Sequence, residues 1–274
     1  MKIARIFGML GLAGAIVVLA ACASGGGAKS QQQDNTKPLT EVEKAYISRV
    51  ELDGRLLYEK DVRAATATDL LISRIDPSDY ENFLGWVTYA YADDYRVSFH
   101  EEVAGAIKVV ADVDFDTNGR SKVSLSPARE MSTREISMVR ARMAALRMGG
   151  NSCSENFNTV IIPSQNAGAW DVYILAATTN PDLVQIGGHV KVTVSKQTSE
   201  IIETTPLSKS CLSFDKAAKL PEGGTLAVMV ATHIISPMPV AIHPYLNLLH
   251  DTDMVVGSER GTWLIESGKI SLLK

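Results

Sequence analysis

Residues 106–125 read AIKVVADVDFDTNGRSKVSL, and they decide the fold class. Ile107, Val109, Ala111, Val113 and Phe115 hold alternate positions, and Lys108, Asp112, Asp114 and Asp116 stand between or beside them. A period of two sends the apolar set to one face and the charges to the other, so the segment reads as a half-buried strand. Asn118-Gly119 then supplies a tight turn, because both residue types accept positive φ, and residues 122–125 supply the returning strand. The same stretch holds Asp114-x-Asp116-x-Asn118-Gly119, which matches the first six positions of an EF-hand-type calcium loop. Position nine is Lys122, and position twelve is Leu125 where a bidentate Glu belongs. The hairpin is therefore preferred over a calcium site.

Moving upstream, residues 86–91 and 95–99 are aromatic and β-branched runs joined by Ala92-Asp93-Asp94, a second hairpin. Residues 45–52 and 55–60 flank Asp53-Gly54 and read as a third hairpin on that dipeptide signal. Residues 62–75 are rich in Ala and Leu and stop before Asp76-Pro77, as a helix should.

Downstream, Ser132 caps a helix over residues 133–148, and Glu135 completes a Ser-x-x-Glu capping box. Ile136, Val139, Met143 and Leu146 form its apolar stripe. Arg134, Arg140, Arg142 and Arg147 are assigned to its solvated face, and Gly149-Gly150 ends it. After Gly150 the chain is mainly β, with strands expected at 159–163, 170–177, 189–195, 212–214, 225–231, 254–257, 262–266 and 270–273. A short helix is expected at 243–249. Strands with interspersed helices and no regular βαβ alternation indicate an α+β fold of largely antiparallel sheets, its C-terminal half mainly β. The expected layout is an α+β lobe over 39–150 and a β-rich lobe over 151–274, or one continuous core across both.

The N-terminus carries a different kind of signal. Residues 1–22 read MKIARIFGMLGLAGAIVVLAAC, with Lys2 and Arg5 ahead of an uncharged run of 16 residues. That run is short of the about 20 residues needed to span a bilayer and suits a cleavable export signal. Leu19-Ala20-Ala21-Cys22 resembles the lipobox of bacterial lipoproteins. The resemblance implies cleavage after residue 21, acylation of Cys22 on sulfur and nitrogen, and a membrane partner reached through the lipid. Ala23, rather than Asp, follows the cysteine, which by the same resemblance favours the outer membrane. Residues 23–38, ASGGGAKSQQQDNTKP, contain no large apolar side chain and read as a flexible tether, about 20–25 Å long on average.

Formal net charge is −4 over 274 residues, and −6 once Lys2 and Arg5 leave with the signal. That is no field for a nucleic-acid backbone, so no nucleic-acid partner is expected. Three cysteines less the lipidated Cys22 leave Cys153 and Cys211. An even pair in an oxidising compartment is most simply a disulfide; two separate thiols, or a nucleophilic Cys153 paired with a histidine, are the alternatives.

Five histidines are present, and His233, His243 and His250 share one segment with Asp251. Imidazoles with a carboxylate are zinc-ligand types, and His243 and His250 would share a helix face at two turns' spacing. The spacings lack the paired ligands of a His-Glu-x-x-His helix, so ordinary buried or surface histidines are preferred. Ser213-x-x-Lys216 lacks its companion elements, and no Gly-x-Ser-x-Gly occurs. Gly187-Gly188-His189 reads as a turn or bulge rather than a phosphate loop. No cofactor is expected. The leading expectation is a non-enzymatic, outer-membrane-anchored periplasmic lipoprotein that binds an envelope or cell-wall partner. The alternative is a metal-dependent envelope hydrolase built on His233, His243, His250 and Asp251.

Overall fold

In the computed structural model, residues 37–148, 153–180, 182–216 and 228–273 are described. The lipobox at 19–22, most of the tether, and Gly149-Gly150 lie outside them.

The first element corrects the sequence reading. Helix α1 runs unbroken over Glu41–Ile72, through the Asp53-Gly54 expected to turn a hairpin. At 32 residues it is about 48 Å long. A capping box starts it: the Thr40 hydroxyl accepts from the Glu43 amide, and the Glu43 carboxylate accepts from the Thr40 amide. Asp53 pairs with Arg49 one turn back at 2.9 Å, so it serves the helix rather than a turn. Gly54 is there for close approach. A Cβ at this position would come 2.5 Å from Pro244 Cγ and 2.9 Å from the Ala241 carbonyl oxygen.

Strands β1 (Phe83–Tyr91), β2 (Asp94–Val103), β3 (Ala106–Phe115) and β4 (Ser121–Leu125) form one antiparallel sheet in sequence order. The β3–β4 turn is the hairpin read at Asn118-Gly119, with Gly119 at φ +74°. Asp116, from the calcium-like pattern, accepts from the Asn118 and Arg120 amides, and Asp114 pairs with Arg96.

Helix α2 spans Thr133–Leu146. Ser132 caps it as expected, accepting from the Glu135 amide at 3.1 Å. The reciprocal half of the expected capping box is missing, because the Glu135 side chain turns inward onto Ser98, His100 and Arg129. Burial raises the Glu135 carboxyl, but hydrogen bonds from Arg129, His100 and Ser98 overcome that and hold it at about 2. Arg142 is likewise not solvated. It donates to Thr159 Oγ1 and the Leu84 carbonyl and lies over the Trp86 ring, and burial pulls its guanidinium down to about 10.

The second sheet has the order β5-β6-β8-β9, all antiparallel, from β5 (Asn156–Pro163), β6 (Ala169–Ala177), β8 (Val190–Ser195) and β9 (Ile201–Pro206). Strand β7 (Leu183–Gln185), which precedes β8 in the chain, pairs with β10 (Ser213–Asp215), which follows β9, as a separate two-stranded sheet. A third sheet joins β11 (Val228–Thr232), β12 (Asp253–Ser258), β13 (Gly261–Glu266) and β14 (Lys269–Leu272). Its β11–β12 pair is parallel, with helix α3 (Ile242–His250) in the crossover.

The fold is thus α+β and mostly antiparallel. Strand β6 is buried on both faces along all but its last residue. Trp170, Val172 and Ile174 pack with Met138 and Val139 of α2, whereas Tyr173 and Leu175 pack with Leu57 of α1 and Ile242 of α3. Full burial of each such side chain stabilises by roughly 1.5–3 kcal/mol. The C-terminal half of α1 covers the first sheet through Ala67 and Leu71. Hydrophobic clusters therefore cross residue 150, and Gln33–Lys274 is one compact unit. No helix among the described residues is long and apolar enough to cross a membrane.

Candidate functional site

A cleft of about 270 Å³ opens where α1, α3 and the end of the β5–β6 pair meet β7. Asp61 lies at its wall. On α1 it shares the buried face with Leu57 and Ala64, at the helical spacings of four and three residues. Its Oδ1 accepts from Asn158 Nδ2 at 3.2 Å, and its Oδ2 accepts from the Tyr245 hydroxyl at 2.9 Å. Burial pushes the Asp61 carboxyl up, and the hydrogen bonds from Tyr245 and Asn158 oppose that. Tyr245 is raised well above its ordinary range, first by burial and then by the Asp61 charge. Leu175, Leu183, Leu246 and Leu249 give the cleft its apolar surface, and Asn180 and Gln185 add polar groups.

Two histidines line the same cleft. His189 accepts the Ala176 amide at Nδ1 and donates from Nε2 to the Gln185 carbonyl, so both nitrogens are committed. Burial lowers it to about 4. His250, at the C-terminal end of α3, is lowered to about 4 by burial and then by the charge of Lys216. Both rings are neutral at physiological pH.

The sequence grouped His250 with His233, His243 and Asp251, and the fold distributes them. His233 and His243 pack edge to face with ring centroids 4.8 Å apart, lining a separate cavity of about 70 Å³. His250 lies on the Asp61 cleft, and Asp251 is the exposed, left-handed residue that ends α3. His243 Nδ1 accepts the Val240 amide, which leaves the proton on Nε2. A metal-binding imidazole has the opposite arrangement: a free lone pair toward the ion and an N–H toward a carbonyl or carboxylate. Ser236 donates to the Met238 carbonyl and therefore accepts from His233 Nε2. Among the described residues, no group of three or more His, Cys, Asp or Glu is placed to hold a metal ion.

Cys153 and Cys211 form a disulfide, as parity and compartment suggested. It closes a separation of 58 residues, worth about 4 kcal/mol in the chain-entropy picture. Beside it, the segment at Gly187 lies against residues 210–212. The Ile186 and Gly187 amides both donate to the Leu212 carbonyl, and a Cβ at Gly187 would fall 2.0 Å from the Ser210 oxygen. Gly187 is thus a close-approach glycine, and Gly188 adopts φ +90°.

Asn158, Asp61 and Tyr245 were not singled out in the sequence. The available signal was a carboxylate on the buried face of a helix, and the false turn at Asp53-Gly54 cut that helix before the face could be traced. The chain matches no protein-family model, no curated protein and no solved structure.

Proposed function

We propose that this protein is an outer-membrane lipoprotein, held by acylated Cys22, whose folded unit is a periplasmic binding module with the Asp61 cleft as its ligand seat. The lipobox, the polar tether and the Cys153–Cys211 disulfide support the location. The cleft itself carries the binding reading: apolar walls enclose a few converging polar groups, the usual composition of a small-ligand site. Binding is favoured over turnover because both nitrogens of His189 are committed to backbone groups and Asp61 is held by two neutral donors.

Labelling of cells with radioactive palmitate tests the anchor. Label should enter the wild type, vanish with Cys22→Ser, and fractionate with the outer membrane; unlabelled wild type would refute lipidation. For the cleft, purified protein is equilibrated with soluble envelope extract and examined by native mass spectrometry. A bound small molecule that Leu249→Trp displaces supports the reading, and its absence from the wild type counts against it. Stoichiometric zinc in the same spectra would favour the metal-dependent hydrolase instead.

A further inference from the structure

We propose that the cleft selects a small organic cation, a primary ammonium on a short aliphatic body, with Asp61 as its counter-ion. This rests on the reading of the cleft as a ligand seat. Asp61 is only 6% exposed. Its two hydrogen-bond partners, Asn158 and Tyr245, are both neutral. Among the described residues, no Lys, Arg or His nitrogen lies within ion-pair distance of it. The adjacent Lys60 points elsewhere, donating to the Thr88 and Ile161 carbonyls at 3.0 and 2.6 Å. Asp171, also buried, accepts from the Thr193 hydroxyl without an ion pair but does not line the cleft, and three further buried carboxylates have an arginine. Arg129 pairs with both Asp112 and Glu135, and Arg49 with Asp53.

Withdrawing a carboxylate from water costs several kcal/mol unless an opposite charge compensates it. At Asp61 the compensation is missing, and the open space beside it is where a ligand can bring one. A carboxylate has about four acceptor positions, and two of them are occupied here. Each oxygen already accepts one hydrogen bond, which suits a compact ammonium better than a guanidinium that needs both oxygens side by side. A hard divalent cation is a poorer fit, since it asks for six or more oxygen ligands and the site offers one carboxylate. The leucine wall at Leu175, Leu183, Leu246 and Leu249 fits an aliphatic body. At about 270 Å³ the cleft lies just below the ~300–1,000 Å³ range of drug-sized sites, so the body is short. The neutral ring of His250 at the wall adds no opposing charge.

Isothermal titration of the acylated protein in detergent compares three probes of one shape: n-butylammonium, 1-butanol and butyrate. The expected result is ammonium binding at least about tenfold tighter than the alcohol, with butyrate weakest. Asp61→Asn should remove that preference while melting at the same temperature or higher, because an uncompensated buried charge is gone. Leu249→Trp, which narrows the cleft and leaves Asp61 in place, should weaken every probe that binds and guards against a misfolded Asp61 variant. Equal affinity for butanol and butylammonium, or a preference that survives in Asp61→Asn, overturns the cation proposal and leaves the ligand seat standing. No heat with any probe also overturns it, and the extract experiment then decides the ligand seat independently.

Discussion

At position 54, helix propensity and packing pull in opposite directions. Alanine is better than glycine in a helix interior by about 1 kcal/mol. The added methyl would meet Pro244 at 2.5 Å and a backbone oxygen at 2.9 Å, and neither can withdraw without parting α1 from α3. Overpacking of this kind costs about 1–3 kcal/mol. Gly54→Ala should therefore lower the urea midpoint, by an amount equal to up to about 2 kcal/mol net. A variant more stable than wild type would show that the two helices separate freely. The same residue explains why the N-terminal region was misread. Asp-Gly is a strong local turn signal, but its glycine answers to Pro244, which no local window around residue 54 contains. The capping box at Thr40 and Glu43 was legible and went unused, because the turn reading ended the helix before it began.

Among the elements, the segment between β4 and α2 is tied down by one side chain. Arg129 donates to both oxygens of Asp112 on β3 and both oxygens of Glu135 on α2, and also to Ser98 on β2. The two carboxylates are almost wholly buried, so removing the guanidinium leaves Glu135 without an arginine and Asp112 with only Arg96, at 3.5 Å. Arg129→Ala should cost on the order of 3–5 kcal/mol, read from chemical denaturation. A loss below about 1 kcal/mol would place the network with surface ion pairs instead. The elements themselves were largely visible in the sequence. Alternation marked β3, and paired aromatic runs marked β1 and β2. The apolar stretch at 170–177 marked β6, and α3 was expected within a residue or two. Strand β9 was missed because its exposed pattern, IIETTP, shows no alternation. Its place is set by pairing with β8.

For the whole molecule, Lys60 ties the sheets together and makes stability depend on pH. Its ammonium bridges Thr88 of β1 and Ile161 of β5, and burial, with the charge of Arg134 adding, lowers it to about 7 from 10.5. Between those values the unfolded chain holds a proton that the folded chain has released, so stability rises with pH. The slope approaches about 1.4 kcal/mol per pH unit. The melting temperature should climb from pH 7.5 to 9.5 in wild type and stay nearly level in Lys60→Met. Equal slopes would mean that the lysine stays charged in the fold. Above pH 10 the trend reverses, since Tyr89 and Tyr95 are held near 12, mainly by burial, and the unfolded chain ionises first. The sequence by itself determined the α+β class, most strands and the cysteine pairing, because these follow from periodicity and parity. Only the tertiary structure decided that Asp61, Asn158 and Tyr245 share a cleft and that His250 lies on it, apart from the packed pair His233 and His243. Burial and hydrogen-bond partners arise from residues far apart in the chain, and no local pattern encodes where a charge will be left without its partner.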